Sequence, residues 1–155
     1  MKLAAYSSLA AFLAHWRALK HARADRDQAR RLALPPRAPV ITILRLRALR
    51  GMPVILERIV LPAGLFRGLD LPIGREVPDE LYVLYQQRFG VTVARAEEKL
   101  RAVAADALDA RSLGVARRSP LLEIDRLALA LDGNPVEWRL SRCNSAHHHY
   151  YSEIE

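Results

Sequence analysis

Residues 24–57 read ADRDQARRLALPPRAPVITILRLRALRGMPVILE, and 81 positions further on residues 105–137 read ADALDARSLGVARRSPLLEIDRLALALDGNPVE. Ala24, Asp25, Ala29, Arg30, Leu32, Arg37, Pro39, Ile43, Arg45 and Leu46 fall on Ala105, Asp106, Ala110, Arg111, Leu113, Arg118, Pro120, Ile124, Arg126 and Leu127. One extra residue before the second turn then brings Gly51, Pro53 and Val54 onto Gly133, Pro135 and Val136. Each copy reads as a helix, a loop closed by proline, a strand, a Gly-x-Pro-Val turn and a second strand. Chance in a chain rich in Ala, Arg and Leu would match the common residues but not the turn residues. A single hairpin cannot bury its apolar face alone, so two copies in one chain predict that each covers the other.

Working outward, the chain has 155 residues, 51% hydrophobic and 26% charged, which fits one domain with an ordinary core and excludes most multi-domain enzymes. Its charge of +7 invites a polyanion or an anionic small ligand. The 21 arginines against three lysines are scattered rather than clustered. A lone Cys143 fits a reducing compartment and offers no zinc spacing. Residues 4–16 carry no Lys, Arg, Asp or Glu and superficially suggest a secretory leader, but Tyr6, Ser7, Ser8 and His15 dilute the apolar run. Leu9, Phe12, Leu13, Trp16 and Leu19 recur at helical spacing, predicting an amphipathic helix capped by Ser7 or Ser8 and running, with a break, to Arg31. No apolar run approaches the ~20 residues of a membrane span, so a soluble, cytoplasmic protein is expected.

Between the repeats, Pro39 to Arg47 and Pro53 to Val60 predict a hairpin through Arg50-Gly51. Residues 61–78 are punctuated by Pro and Gly and read as loop. Asp79 is the expected cap of a helix with Leu81, Leu84, Tyr85 and Phe89 on one face, stopped by Gly90. Val91 to Val103 reads as a strand, Ala104 to Leu113 as a helix, and Pro120 to Leu131 as a strand. Asp132-Gly133-Asn134 turns the chain into a last strand from Pro135 to about Ser145.

Several ordered motifs resemble a known family: Arg45-Leu-Arg47, Gly51-x-Pro-Val54-x-x-Glu57, Leu61-Pro62 with Phe66-x-Gly-Leu69, Leu81-Tyr82, Phe89-Gly90, Pro120-Leu-Leu-x-Ile-x-Arg126 and Asp132-Gly-x-Pro-Val-Glu137. They are similar to the UTRA domain, the effector-binding domain of GntR-type bacterial transcription regulators of the HutC subfamily. The resemblance implies an α+β, chorismate-lyase-like antiparallel β-sheet with flanking helices, a small-molecule pocket, frequent homodimers and no cofactor. On this reading residues 1–155 form a single ligand-binding domain: 1–21 an N-terminal helix or linker, 22–145 the family core and 146–155 a C-terminal tail. The winged-helix DNA-binding domain that precedes it in the family is absent from the sequence, so DNA is a partner of the parent protein only.

Arg45 and Arg47 lie two apart on a strand and share a face, the spacing that lets two guanidinium groups converge on a carboxylate or phosphate. A solvated strand face, or pairing with Glu57 across the hairpin, fits the same spacing. The resemblance implies that Arg45, Arg47, Glu57, Tyr82 and Glu137 line the effector pocket. Relatives that bind phosphorylated sugars carry Ser-Leu-Tyr where this chain has Glu80-Leu81-Tyr82, and Tyr-Arg-Gly-Asp where it has Cys143-Asn144-Ser145-Ala146. By analogy this favours a small carboxylate, such as urocanate, over a sugar phosphate.

Adjacent His147, His148 and His149 splay to opposite sides of an extended tail, so no metal is expected there. Cys143 lacks an activating His-Asp pattern and reads as a buried strand residue. Trp16 and Trp138 read as core or interface. Two other functions compete with the sensor. One is a chorismate-lyase-like enzyme, which would need a poised acid-base pair that the sequence does not display. The other is direct nucleic-acid binding by the Arg-rich stretch Arg17 to Arg31.

Overall fold

The computed structural model describes residues 13–78 and 81–152. Ser7, Ser8, Leu9, Phe12, Asp79 and Glu80, which carry several of the sequence expectations, lie outside the described residues. The chain runs β1 (Leu13–Arg23), α1 (Arg26–Arg31), β2 (Pro39–Leu49), β3 (Met52–Pro62), β4 (Glu76–Pro78), α2 (Leu81–Phe89), β5 (Arg95–Ala104), α3 (Ala107–Leu113), β6 (Pro120–Leu129) and β7 (Pro135–Cys143). The strands form one antiparallel sheet of order β4-β1-β2-β3-β7-β6-β5.

The series strand, helix, hairpin occurs twice, as β1-α1-β2-β3 and as β5-α3-β6-β7, and the two meet at the β3–β7 pair. Local chemistry repeats along with the elements. Asp25 caps α1 and shares a capping box with Gln28, while Asp106 caps α3 with Asp109 in the same role. Ala33 and Gly114 are both left-handed, as are Arg37 and Arg118. The amides of Ala24 and Ala105 bond the carbonyls of Ala38 and Ser119, each at 2.8 Å. Gly51 and Gly133, at φ of 74° and 83°, make the two hairpin turns in a conformation that costs other residues steric strain.

The expected N-terminal helix is overturned, and the stretch 61–78 expected as loop holds the short strand β4. Residues 13–23 are not helix but strand β1, paired with β2 along its length. A bulge between Trp16 and Ala18 explains the misleading spacing: it adds a residue, so that Trp16 and Leu19, three apart, point to the same core. That spacing mimics a helical repeat. The expected Arg-rich helix is therefore split into a strand and the six-residue α1. The strand expected from Val91 begins only at Arg95, because the Val91 amide bonds the Tyr85 carbonyl and the chain is still leaving α2.

Strand alternation divides the core between two faces. On one face α1 and α3 cover Val40, Val60, Leu46 and Leu56. Each helix also reaches the other repeat: α1 packs beside Leu127 and Trp138, and α3 packs against β3. On the opposite face Phe66, Leu69, Leu71 and α2 cover Trp16, Ile41, Ile43, Ile59 and Leu61. Phe66 and Tyr85 meet edge to face at 4.8 Å.

Candidate functional site

The face under α2 is apolar at one end and carries a belt of charged side chains across its middle. Arg45 lies opposite Glu57 in the β2–β3 register, and Glu57 lies opposite Ser141 in β3–β7. Arg45 Nε donates to Glu57 Oε2 at 2.6 Å, with Nη2 at 2.5 Å from the same oxygen. Arg47 Nη1 at 3.3 Å and Ser141 Oγ at 3.2 Å donate to Glu57 Oε1. Both Arg45 and Glu57 are 1% exposed.

Glu137 forms a second centre. Arg139 donates to both of its oxygens at 2.8 Å, and the Tyr85 hydroxyl from α2 donates to Oε2. Arg139 Nη1 also stands 3.8 Å from Glu57, so one guanidinium bridges the two carboxylates. Its plane lies 5.3 Å from the Tyr82 ring, and Arg45 sits 5.4 Å from the Trp16 ring. All five residues expected from the sequence therefore belong to one connected belt.

Arg45 thus pairs with Glu57 across the hairpin. Burial opposes ionisation of Glu57, but the charges of Arg45, Arg139 and Arg47 outweigh it and hold the carboxyl well below the usual range. Burial, followed by the Glu137 charge, pushes the Tyr85 hydroxyl well up, and the same two causes raise Tyr82. Burial pushes the Cys143 thiol up to about 12, so it stands as a neutral thiol in the core.

Beside the belt, a cleft of about 300 Å³ opens between α2 and the β5–β6 edge, lined by Tyr82, Arg126, Glu98, Arg95 and the chain at 93–96. Arg126 Nη1 donates to the Tyr82 hydroxyl at 3.3 Å, and its Nε donates to Glu98 Oε1 at 2.5 Å. The sequence reading missed Arg126, Arg139, Glu98, Tyr85 and Ser141 as members of this face. Arg126 could have been found, since it is the repeat counterpart of Arg45. Arg139 and Ser141 share the alternation of Glu137. Glu98 and Tyr85 carry no such local signal.

Among the described residues, no three of His, Cys, Asp and Glu converge as a metal site would require. Trp16 is core, whereas Trp138 lies on the α1 face, donates Nε1 to Asp125 at 2.9 Å and carries Arg31 over its ring. Among the described residues no helix is long and apolar enough to cross a membrane.

Residues 13–149 match the UTRA domain family. Among curated proteins, the chain is 28% identical to the HTH-type transcriptional regulator GmuR of Bacillus subtilis over 116 residues, 75% of this chain and 48% of GmuR. It is 31% identical to the HTH-type transcriptional regulator Rv0792c of Mycobacterium tuberculosis over 99 residues, 63% of this chain and 37% of that protein. The chain thus spans about half or less of the curated relatives it matches. A crystal structure described as the ligand-binding domain of a GntR-family transcriptional regulator from Bordetella bronchiseptica superposes with a TM-score of 0.90 at 32% identity, over 100% of this chain and 97% of that one. The effector domain of PhnF from Mycobacterium smegmatis shares the fold, with a TM-score of 0.84 at 24% identity over 94% of this chain and 88% of that one.

Proposed function

Because the chain belongs to the UTRA family, the effector-binding domains of GntR-family transcriptional regulators, we propose that its belt and cleft bind a small anionic effector, most simply a carboxylate. Arg45, Arg47, Glu57, Tyr82 and Glu137 are the proposed ligand-binding residues, with Arg47 facing the ligand more openly than Arg45. The observation that carries this reading is the gathering of Arg45, Arg47, Arg126 and Arg139 on one sheet face, beside a cleft walled by an aromatic residue. Effector binding would shift the balance between two arrangements of a homodimer and so change operator affinity through a winged-helix domain in the whole protein. A coupling of about 1 to 3 kcal/mol is sufficient.

We read residues 1–155 as one such domain, of the HutC subfamily, acting in the cytoplasm and without catalysis. The chemistry of Glu57 supports the last point, because a carboxylate held ionised by three guanidinium groups has no proton to give as a general acid. A thermal-shift screen against small carboxylates, amino-acid catabolites and sugar phosphates tests the reading. A carboxylate is expected to raise the melting temperature, and Arg47→Ala to abolish that rise while leaving the ligand-free melting temperature nearly unchanged. No stabilisation by any anion, or equal loss of stability with and without ligand in Arg47→Ala, overturns it. Turnover of chorismate by the purified chain would establish the enzyme reading instead.

A further inference from the structure

Arg126 differs from the rest of the belt in where its counter-ion comes from. Its register partner on β7 is Arg139, a like charge, and its partner on the other side is Glu98 of β5. Arg126 Nε donates to Glu98 Oε1, and Nη2 lies 2.5 Å from the same oxygen. The second Glu98 oxygen accepts the hydroxyl of Tyr150, from the segment that follows β7. A continuous chain of hydrogen bonds, Tyr82 to Arg126 to Glu98 to Tyr150, therefore runs from α2 along the cleft to the C-terminal segment.

The exposures along this chain are uneven. The Glu98 side chain is 4% exposed and that of Arg126 22%, although β5 is an edge strand whose neighbouring residues are largely open to water. Tyr150 packs against the cluster of Ile55, Ile124 and Cys143, and its hydroxyl reaches out of that seat to Glu98. A covered carboxylate thus occupies the guanidinium that lines the cleft.

We propose that Glu98 is a built-in counter-ion that keeps the anion position at Arg126 filled until an anionic effector takes it, and that its release frees the C-terminal segment, residues 144–152, from the sheet. The proposal rests on the sensor reading above and adds the residue that sets ligand class and the element that responds. The exchange swaps one carboxylate for another at Arg126, so the guanidinium is never left unpaired. The displaced Glu98 turns to water from the edge strand, and Tyr150 loses its acceptor. A neutral ligand has nothing to offer in place of Glu98, so the pair selects for anions.

Deuterium exchange of residues 144–152 in the full chain tests the relay without a ligand. Arg126→Met, which deprives Glu98 of its guanidinium partner, is expected to raise exchange there about tenfold, as is Tyr150→Phe. The double variant should add little to either, because all act through one chain of bonds. Unchanged exchange in Arg126→Met, or fully additive effects in the double variant, overturns the relay.

Glu98→Gln keeps an acceptor for Tyr150 but removes the competing charge. It is expected to bind benzoate at least about fivefold more tightly than the wild type, with benzamide unaffected. Benzoate affinity that does not rise overturns the counter-ion role. A wild-type chain that binds carboxylates while its tail ignores Arg126→Met sinks this inference and leaves the sensor standing. A tail coupled to Arg126 in a chain that binds no anion of the screen sinks the sensor reading.

Discussion

Arg45 and Arg126 occupy the same position in the two repeats, on the same sheet face, and behave differently. Arg45 is 1% exposed and faces Glu57 directly across its own hairpin. Arg126 faces Arg139 across its hairpin, because the residue that corresponds to Glu57, counted from the matched turn glycines, is an arginine. A single reversal of charge between the copies thus closes one guanidinium into a buried pair and sends the other outward to Glu98 and Tyr82 at the cleft. The repeat supplies a symmetrical scaffold, and the cleft lies where the symmetry is broken.

The comparison breaks first, and hardest, at Glu57. Glu57→Ala leaves Arg45 and Arg139 buried without their shared carboxylate, and Arg45→Ala strands Glu57. Each is expected to cost about 3 to 5 kcal/mol by urea denaturation, the penalty for removing one partner of a buried pair. A loss under about 1 kcal/mol would show that the first repeat's arginine is no more fixed than the second's.

Acid gives the next largest effect. Glu57 has a folded-state pKa lowered from an ordinary value of 4.5, so its contribution is complete above that value and fades as pH falls toward the lower one. Stability is expected to drop steadily as pH falls below about 5, and the drop should be shallower in Glu57→Gln. Parallel profiles for the two proteins would place the acid sensitivity elsewhere, for instance at the cap carboxylate Asp106, whose backbone hydrogen bonds also lower its pKa.

Much of this was legible from local chemistry. The turn glycines, the capping aspartates and the alternation of β2, β3, β6 and β7 are short-range signals, and they led to the two hairpins and to the Arg45–Glu57 neighbourhood. Strand β1 was not legible from its own residues, since the bulge after Trp16 gave it a helical spacing. The repeat holds the missing signal: residues 13–23 shifted by 81 fall on 94–104, which cover β5 and whose pattern predicts a strand as far as Val103. The cleft was hidden for a different reason. Glu98 meets Arg126 only through the β5–β6 register and Tyr150 only through the path of the C-terminal segment, neither of which leaves a periodic trace.

The two capping aspartates sharpen the comparison at smaller energies. Asp25 makes only its capping box among the described contacts of its side chain, whereas Asp106 also receives Arg142 at 3.2 Å and Arg58 at 3.4 Å across the sheet. Asp25→Ala is expected to cost about 1 kcal/mol and Asp106→Ala about 2 kcal/mol, measured by thermal unfolding. Equal costs would mean that the surface arginines add nothing, as is common for exposed pairs.

The smallest change in stability is expected at Arg126 itself. Removing this guanidinium leaves Glu98 on an edge strand, where the carboxylate can turn to water, so Arg126→Ala should shift unfolding by no more than about 1 kcal/mol. Arg45→Ala, the same substitution at the matched position, should cost several times as much. The ratio between the two is the quantity to measure, because it cancels whatever an arginine-to-alanine change does to the unfolded chain. A ratio near one would mean that both arginines are structural and that the cleft beside Tyr82 is a surface dimple. A large ratio would mark the second repeat as the half freed from the work of folding and therefore able to exchange its counter-ion.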